Sequence, residues 1–408
     1  MKLVCGTLFT AEVEYIFRKL LSDGDEIRLV GGCLRDFLLG DGREINDYDF
    51  ATRYQPMELA RILDKNGIEH VDVNSRFGTI VAFVNGKKFE ITSLRKDVET
   101  DGRHATVEFT DDYREDAKRR DFTFNAIYCD GEGEIYDYFS GIVDLNKRLV
   151  RFIGDPEQRI LEDHLRILRF FRFYSTHGFF MDYRSLMACK KYSHRIKKLS
   201  RERVTDELRK ILESGYPLKT LKVMEHHGIL QNTLNYSGKL DFANLDIFFA
   251  IGKKFKYNYI FILTLILSKN KIDLNLTLRR KEKMYISSIL NNIPTNISPF
   301  EIKKLLFTLK DVNKVRDIAM IYICNNYSPN ILEYLDLVVE TSIPNLKVNS
   351  EMLERHGFTD KKNYGRLLAM AKCIFVESAF EVDGDNLVDR LKTKLATPGR
   401  FSGKTGEK

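Results

Sequence analysis

Between Arg28 and Thr52 the chain sets two glycines between an apolar run and a helical one, then places two aspartates one residue apart. Ile27 to Val30 reads as a short buried strand and Gly31-Gly32 as the turn that ends it. Leu34, Phe37 and Leu38 follow at helical spacing. Glycines at a strand-to-helix turn let backbone N–H groups approach an anion, and the new helix N-terminus adds the positive end of its dipole. Gly32 and Arg35 are therefore candidate phosphate contacts, the arginine through a charge-assisted hydrogen bond. Asp47 and Asp49 alternate along a second strand, so both carboxylates face one side. Two hard oxygen ligands beside a phosphate cradle suit a magnesium ion bridging a nucleoside triphosphate. Taken singly, a Gly-Gly is usually a turn and an Asp-x-Asp a solvated edge. Their order and close succession carry the reading.

Composition narrows the classes around that stretch. A chain of 408 residues, 43% hydrophobic and 30% charged, holds enough apolar mass for more than one domain. Its net charge of +7 suits a polyanionic partner. The six cysteines are scattered without paired spacing, which speaks against zinc ribbons and disulfide frameworks and for a cytoplasmic protein. The N-terminus lacks the long apolar core of a signal peptide. The most apolar run, Tyr259 to Leu267, is too short to span a bilayer and reads as a buried helix, so no membrane partner is expected.

In chain order, an amphipathic helix is expected before residue 22 and another opening at Pro56. Two strand-like runs flank Asn85-Gly86, a strong hairpin signal. Glu90 lies on the second of them, with Phe89 and Ile91 on the opposite face. It reads either as a third carboxylate for a metal and general-base cluster or as an exposed strand glutamate. Residues 95–110 are highly charged with little periodicity and read as a long loop. In the run from Asp116 to Asn125, Arg119 and Arg120 are candidate phosphate partners, and Asp121 and Asn125 candidate ribose partners. A surface basic cluster is the plainer alternative. Asp155-Pro156 with Gln158 reads as a helix start. One helix is expected beyond it, carrying Arg159, Glu162, Arg166 and Arg169 at three- and four-residue steps, with Asp163 alongside and Arg172 one step on. Lys190 to Arg203 is a basic stretch, open to reading as a solvated helix face or an RNA-contacting neck.

The motifs Val30 to Asp36, Asp47-x-Asp49, Arg119 to Ala126 and Glu162 to Arg166, in this order, resemble the bacterial (class II) tRNA nucleotidyltransferases. These are the CCA-adding enzymes and their relatives, the poly(A) polymerases. The resemblance is dense from about residue 25 to 215 and thinner beyond. It implies an α+β fold: an N-terminal nucleotidyltransferase head with a small mixed β-sheet (residues 1–140), then an all-helical neck (141–215), body (216–330) and tail (331–395). Residues 396–408, polar and Gly-rich, are expected to be disordered.

The reaction implied is template-independent transfer of CMP and AMP from CTP and ATP to the 3′ end of tRNA, releasing pyrophosphate. DNA is not an expected partner. Asp47 and Asp49 would hold Mg2+, and Glu90 would orient or deprotonate the RNA hydroxyl. Gly32, Arg35 and Arg120 would hold the triphosphate, Asp121 and Asn125 the sugar. Cytosine and adenine both present an amino donor beside a ring-nitrogen acceptor, so a fixed carboxylate and a fixed guanidinium select them together and oppose uracil and guanine. The resemblance gives this role to Asp163 and Arg166, with Glu162 orienting the arginine and Arg169 and Arg172 near the nucleotide. It makes the Arg95–Phe109 loop a device that reshapes the pocket between the C and A steps. It also marks Ile343 to Leu353 as a tail motif that helps hold the tRNA elbow, with Asn349 and Glu351 where glycine and aspartate are usual.

A poly(A) polymerase, a CC-only-adding enzyme and a catalytically inactive RNA-binding module remain as alternatives. Phe77 to Ile80 and Arg166 to Phe173 look more like the CCA-adding branch, and the retained carboxylates oppose an inactive module, since binding alone requires no metal ligands.

Overall fold

The computed structural model describes residues 8–21, 27–40, 42, 45–74, 77–100, 105–251, 255–326 and 332–396. They fall into two compact units. One holds the chain up to Leu240 with Ile272–Leu278, and the other holds Asp241–Lys271 and the chain from Arg279 on.

The first unit is built on a seven-stranded mixed sheet. Helix α1 (Ala11–Leu20), capped by the Thr10 side chain, is followed by β1 (Ile27–Val30), α2 (Gly32–Leu39) and β2 (Tyr48–Thr52). Then come α3 (Pro56–Lys65), β3 (Glu69–Asn74), β4 (Thr79–Val84) and β5 (Lys87–Ser93). The hairpin between β4 and β5 turns at Asn85 and Gly86, both at positive φ as a tight two-residue turn requires.

All four residues of β1 are buried, which fits a central strand covered on both faces. It pairs antiparallel with β2, setting Val30 opposite Asp49. Strand β2 pairs parallel with β5, setting Asp49 opposite Glu90. Alternation then sends Phe50, Phe89 and Ile91 to the other face, where Phe17 of α1 packs edge-on against Phe50 at 5.3 Å.

The described part of residues 95–110 is not the long loop expected. It forms β6 (Arg95–Thr100) and β7 (Ala105–Phe109), an antiparallel ribbon with an irregularity between Asp97 and Glu99. Apolar alternation is missing because charge takes its place: Lys96 and Glu108 pair across the ribbon at 3.1 Å. After α4 (Tyr113–Arg119), strands β8 (Ile127–Cys129) and β9 (Ile135–Asp137) complete the sheet beyond β1.

Helix α5 (Gly141–Asn146) and the two-residue β10 (Leu149–Val150) lead into α6 (Pro156–Glu162), whose cap is the Asp155 carboxylate, accepting from the Glu157 and Gln158 amides. The single helix expected beyond is two. At Asp163 the backbone is extended (φ −148°, ψ 108°), and α7 (Arg166–His177) starts anew. Leu165 is 7% exposed and its amide donates to the Asp163 side chain, a local hydrogen bond that competes with helix continuation. Strand β11 (Phe180–Met181) pairs parallel with β10, so residues 141–215, expected to be all-helical, include a small two-stranded sheet. Helices α8 (Tyr183–Tyr192) and α9 (Arg201–Leu212) follow.

An aromatic core joins the sheet side of this unit to α7. Phe122 stacks on Phe152 at 4.9 Å and meets Phe173 edge-on at 5.1 Å, while Phe124 meets Phe173 at 5.2 Å. Each such pair adds about 0.5–1.5 kcal/mol beyond area burial. Here the pairs set the register between Asp121 to Asn125 and the arginines of α7.

The second unit is helical. Its Tyr259–Lys269 helix is buried from Ile260 to Ile266, as its apolar run predicts. Among the described residues no helix is long and apolar enough to cross a membrane. In the stretch from Ile343 to Leu353, Asn349 caps the Ser350–Arg355 helix by accepting from the Met352 amide, a job glycine cannot do with a side chain. The C-terminal stretch from 397, expected to be disordered, lies outside the described residues.

Candidate active site

A cavity of about 580 Å³ opens where α2, β2 and α4 meet α7 and α9, and it collects most of the residues singled out from sequence. Gly32, Arg35, Asp49, Arg120, Asp121, Asn125, Asp163, Arg166, Arg169 and Arg172 all line it. Gly31 lines it too and is the more constrained glycine. Its φ is +82°, and a Cβ there would come within 3.3 Å of Asp49 Oδ2. A Cβ on Gly32 would make only ordinary contact with Arg35. Only glycine turns tightly enough to bring the α2 N-terminus beside the carboxylate.

The cationic side of the cavity is held from behind by carboxylates. Arg35 clasps Asp36 through Nε and Nη2 at 2.8 and 2.9 Å and donates from Nη1 to Asn125 Oδ1 at 2.9 Å. Buried Asp116 accepts from Arg119 at 2.6 and 2.9 Å, from Arg120 at 3.1 and 3.2 Å and from the Tyr128 hydroxyl at 2.7 Å. Burial alone would raise the Asp116 pKa, but the two guanidinium groups and the hydroxyl outweigh it and hold the carboxyl well below its ordinary range. Burial, and then the like charge of Arg119, push the Arg95 pKa down to about 10. Burial and the neighbouring Arg169 lower Arg172 as well. The cavity therefore carries an excess of positive charge, suited to a polyphosphate.

Asp121 and Asn125 are brought together as expected, though their polar atoms already have protein partners. Asp121 accepts from Arg169 Nε at 2.6 Å, from Asn125 Nδ2 at 3.2 Å and from the Phe122 amide at 2.9 Å. Burial is outweighed by Arg169 and Asn125, so this carboxyl too lies below its ordinary range.

Arg166 opens α7 and faces Asp163 across the helix break, an arrangement different from the single helical turn that spacing suggests. Glu162 accepts from Arg166 Nη1 at 2.6 Å and also pairs with Arg159. The Arg159 and Arg119 carbonyls accept from the same Arg166 guanidinium at 2.8 and 3.1 Å. Asp163 is fixed by the Leu165 amide at 3.0 Å and by Arg203 at 2.8 Å. A carboxylate and a guanidinium are thus presented with their orientations set.

A second cavity, of about 270 Å³, is lined by Asp47, Tyr48, Asp49, Lys88 and Glu90. Asp49 borders both cavities. Burial raises its pKa, Arg120 opposes this, and Glu90 and Asp47 add to the rise. Lys88 forms an ion pair with Glu90, which holds the ammonium above its ordinary range. Among the described residues no group of three His, Cys, Asp or Glu side chains gathers as a metal cage. The donor chemistry fits a hard divalent ion that takes two aspartates and completes its shell with substrate oxygens and water.

Several site residues carry no signal in the sequence. Asp116 and Tyr128 look like an ordinary helix acid and a strand aromatic. Phe173 resembles core, yet it lines the cavity with Arg35, Arg169 and Arg172 at 5.1, 5.8 and 4.6 Å from its ring. Glu207 of α9 is buried and accepts from Arg172 at 2.9 Å. Arg203 sits in the basic stretch from Lys190, where charge alone does not separate a nucleotide contact from a solvated face.

Residues 27–151 match the poly A polymerase head domain family, and residues 178–236 match the family described as the probable RNA and SrmB- binding site of polymerase A. The mitochondrial CCA tRNA nucleotidyltransferase 1 of Mus musculus is 30% identical over 415 residues, covering 95% of this chain and 91% of its own length. The CCA-adding enzyme of Bacillus cytotoxicus is 37% identical over 209 residues, 51% of each chain. Among solved structures, the Bacillus stearothermophilus CCA-adding enzyme in complex with CTP aligns at a TM-score of 0.70 and 25% identity, over 94% of this chain and 98% of that one. The Thermotoga maritima CCA-adding enzyme complexed with tRNA shares the fold at a TM-score of 0.70 and 20% identity, over 95% and 98% of the two chains. With a relative of this identity matched over nearly its whole length, the chain belongs to the CCA tRNA nucleotidyltransferase family.

Proposed function

We infer that this chain builds or repairs the CCA terminus of tRNA, adding CMP and AMP from CTP and ATP to the 3′ end and releasing pyrophosphate. The observation that carries this reading is the fixed Asp163–Arg166 couple on the wall of the cavity that also holds the arginine-rich cradle. Asp163 would accept from the exocyclic amino group of cytosine or adenine, and Arg166 would donate to the ring nitrogen. Glu162 keeps that guanidinium in place. Arg35, Arg120 and the α2 N-terminus would take the triphosphate, with Arg169 and Arg172 close by. Asp121 and Asn125 would border the sugar.

The family works with divalent metal ions. We propose magnesium, held by Asp47 and Asp49, with Glu90 acting on the RNA 3′ hydroxyl. When bound, such an ion supplies charge neutralisation at the reacting phosphate. Residues 1–140, 141–215, 216–330 and 331–395 are proposed as head, neck, body and tail, the neck carrying base selection. The cytoplasm is the proposed compartment, supported by six cysteines scattered along the sequence without paired spacing.

The test is 3′-end sequencing of a tRNA transcript lacking CCA after incubation with the protein, magnesium, CTP and ATP. Ends reading CCA and stopping there are expected. Ends at CC indicate a partial enzyme, long A tails a poly(A) polymerase, and unchanged ends a binding module.

A further inference from the structure

Lys88 occupies an unusual place for an exposed strand lysine. It precedes Glu90 by two residues on β5, so it shares the face of Glu90 and Asp49. Its ammonium pairs with Glu90, and it lines the cavity of about 270 Å³ with Asp47, Asp49 and Glu90. The side chain is 54% exposed, so its charged end has room to leave on a flexible stem.

Asp47, Asp49 and Glu90 border the same small cavity. Asp49 is half-buried and stands opposite Glu90 in the sheet, so their negative charges lie close together on one face. An ammonium there relieves the same repulsion that a divalent ion would relieve. Two cations cannot share those oxygens without repelling each other.

We propose that Lys88 is a built-in counter-cation of the carboxylate cluster, a positioning residue that holds Glu90 and competes with the divalent ion for the site in the free enzyme. The inference rests on Asp47 and Asp49 being the metal ligands. In this arrangement the acids stay gathered before the ion arrives. The free enzyme binds the ion weakly, and an ion already carried by a triphosphate displaces Lys88 more easily than a bare ion does. Displacement frees the Glu90 carboxylate for the RNA hydroxyl.

The experiment is titration of the free, full-length protein with Mn2+ alone, followed by electron paramagnetic resonance, for wild type, Lys88→Met, Lys88→Arg and Asp49→Asn. Circular dichroism checks folding of each. Removing an exposed counter-charge should tighten Mn2+ binding about three- to fivefold in Lys88→Met. Lys88→Arg, which keeps the charge, should match wild type, and Asp49→Asn should lose most binding. If Asp49→Asn abolishes binding while Lys88→Met leaves it unchanged or weaker, the role of Lys88 is overturned and the ligand assignment stands. If Asp49→Asn binds Mn2+ as wild type does, the ligand assignment itself falls, and this inference with it.

Discussion

Arg169 reaches from helix α7 to Asp121, donating from Nε to Oδ2 at 2.6 Å. Asp121 follows α4, so this pair joins the phosphate side of the cavity to the base-reading side. Asn125 extends the link to Arg35 and the α2 cradle. A shift in one wall of the cavity is therefore felt by the other.

Asp121→Ala should unpair Arg169 and cost about 1–3 kcal/mol of stability. Because Arg169 is partly exposed, water offsets some of the loss. The double variant with Arg169→Ala should cost clearly less than the sum of the two single changes, as for residues in one network. Urea denaturation of the four proteins measures this, and strict additivity would show that the pair does not couple the two walls.

Asp116 predicts an acid limb in the stability curve. Its folded pKa is depressed, so its contribution is fully present above the unfolded value of about 3.9 and is lost as pH falls toward the folded one. Asp116→Asn should be less stable than wild type at pH 7 and should lose less on going from pH 5 to pH 3. Asp121 shares the same direction of shift, so the limb should flatten and not vanish. Denaturant midpoints across that range are the readout. A limb of equal steepness in the variant would remove Asp116 from the account.

Gly31→Ala should damage activity more than Gly32→Ala. At Gly31 both a positive φ and a Cβ within 3.3 Å of Asp49 Oδ2 oppose a side chain, whereas at Gly32 neither does. The expected destabilisation is about 1–2 kcal/mol, from strain in the left-handed region. CMP incorporation and thermal melts of both variants check it, and equal behaviour would count against the Gly31–Asp49 contact.

Arg166→Ala should relax base choice more than it weakens triphosphate binding. Discrimination of CTP and ATP against UTP and GTP should fall about ten- to a hundredfold, the scale of one buried bidentate contact. Glu162→Gln should move in the same direction by less, because the guanidinium loses a charged anchor while keeping the Arg159 and Arg119 carbonyls. Relative kcat/KM for the four nucleotides decides the matter. Unchanged ratios with a raised KM for all four would assign Arg166 to phosphate instead.

Much of the site is legible in the chain because its local geometry is short-range. The turn at Gly31-Gly32 follows from strand and helix periodicity over a few residues, whereas Asp47, expected on the strand, precedes β2 and lines the small cavity with Asp49 from just outside it. The hairpin at Asn85-Gly86 and the cap at Asp155 follow from turn and cap chemistry. The ribbon from Arg95 to Phe109 escapes such reading because its strands are specified by cross-strand charge pairs such as Lys96–Glu108 and carry no apolar alternation. The break at Asp163 escapes it as well, since Ile160 and Ile167 keep helical spacing straight through the interruption.

The sequence by itself determined the head's strand-to-helix turns, the paired aspartates and the order of motifs that marks the family. These depend on local conformational preferences and on residue chemistry. Only the tertiary structure decided that Glu90 stands opposite Asp49, that Asp116 and Tyr128 anchor Arg120, and that Arg203 and Glu207 of α9 hold Asp163 and Arg172. Apart from the i,i+4 pair Asp116–Arg120, those pairings join residues 8 to 41 positions apart. Their partners are selected by the packing of the sheet and the aromatic core, which no local pattern encodes.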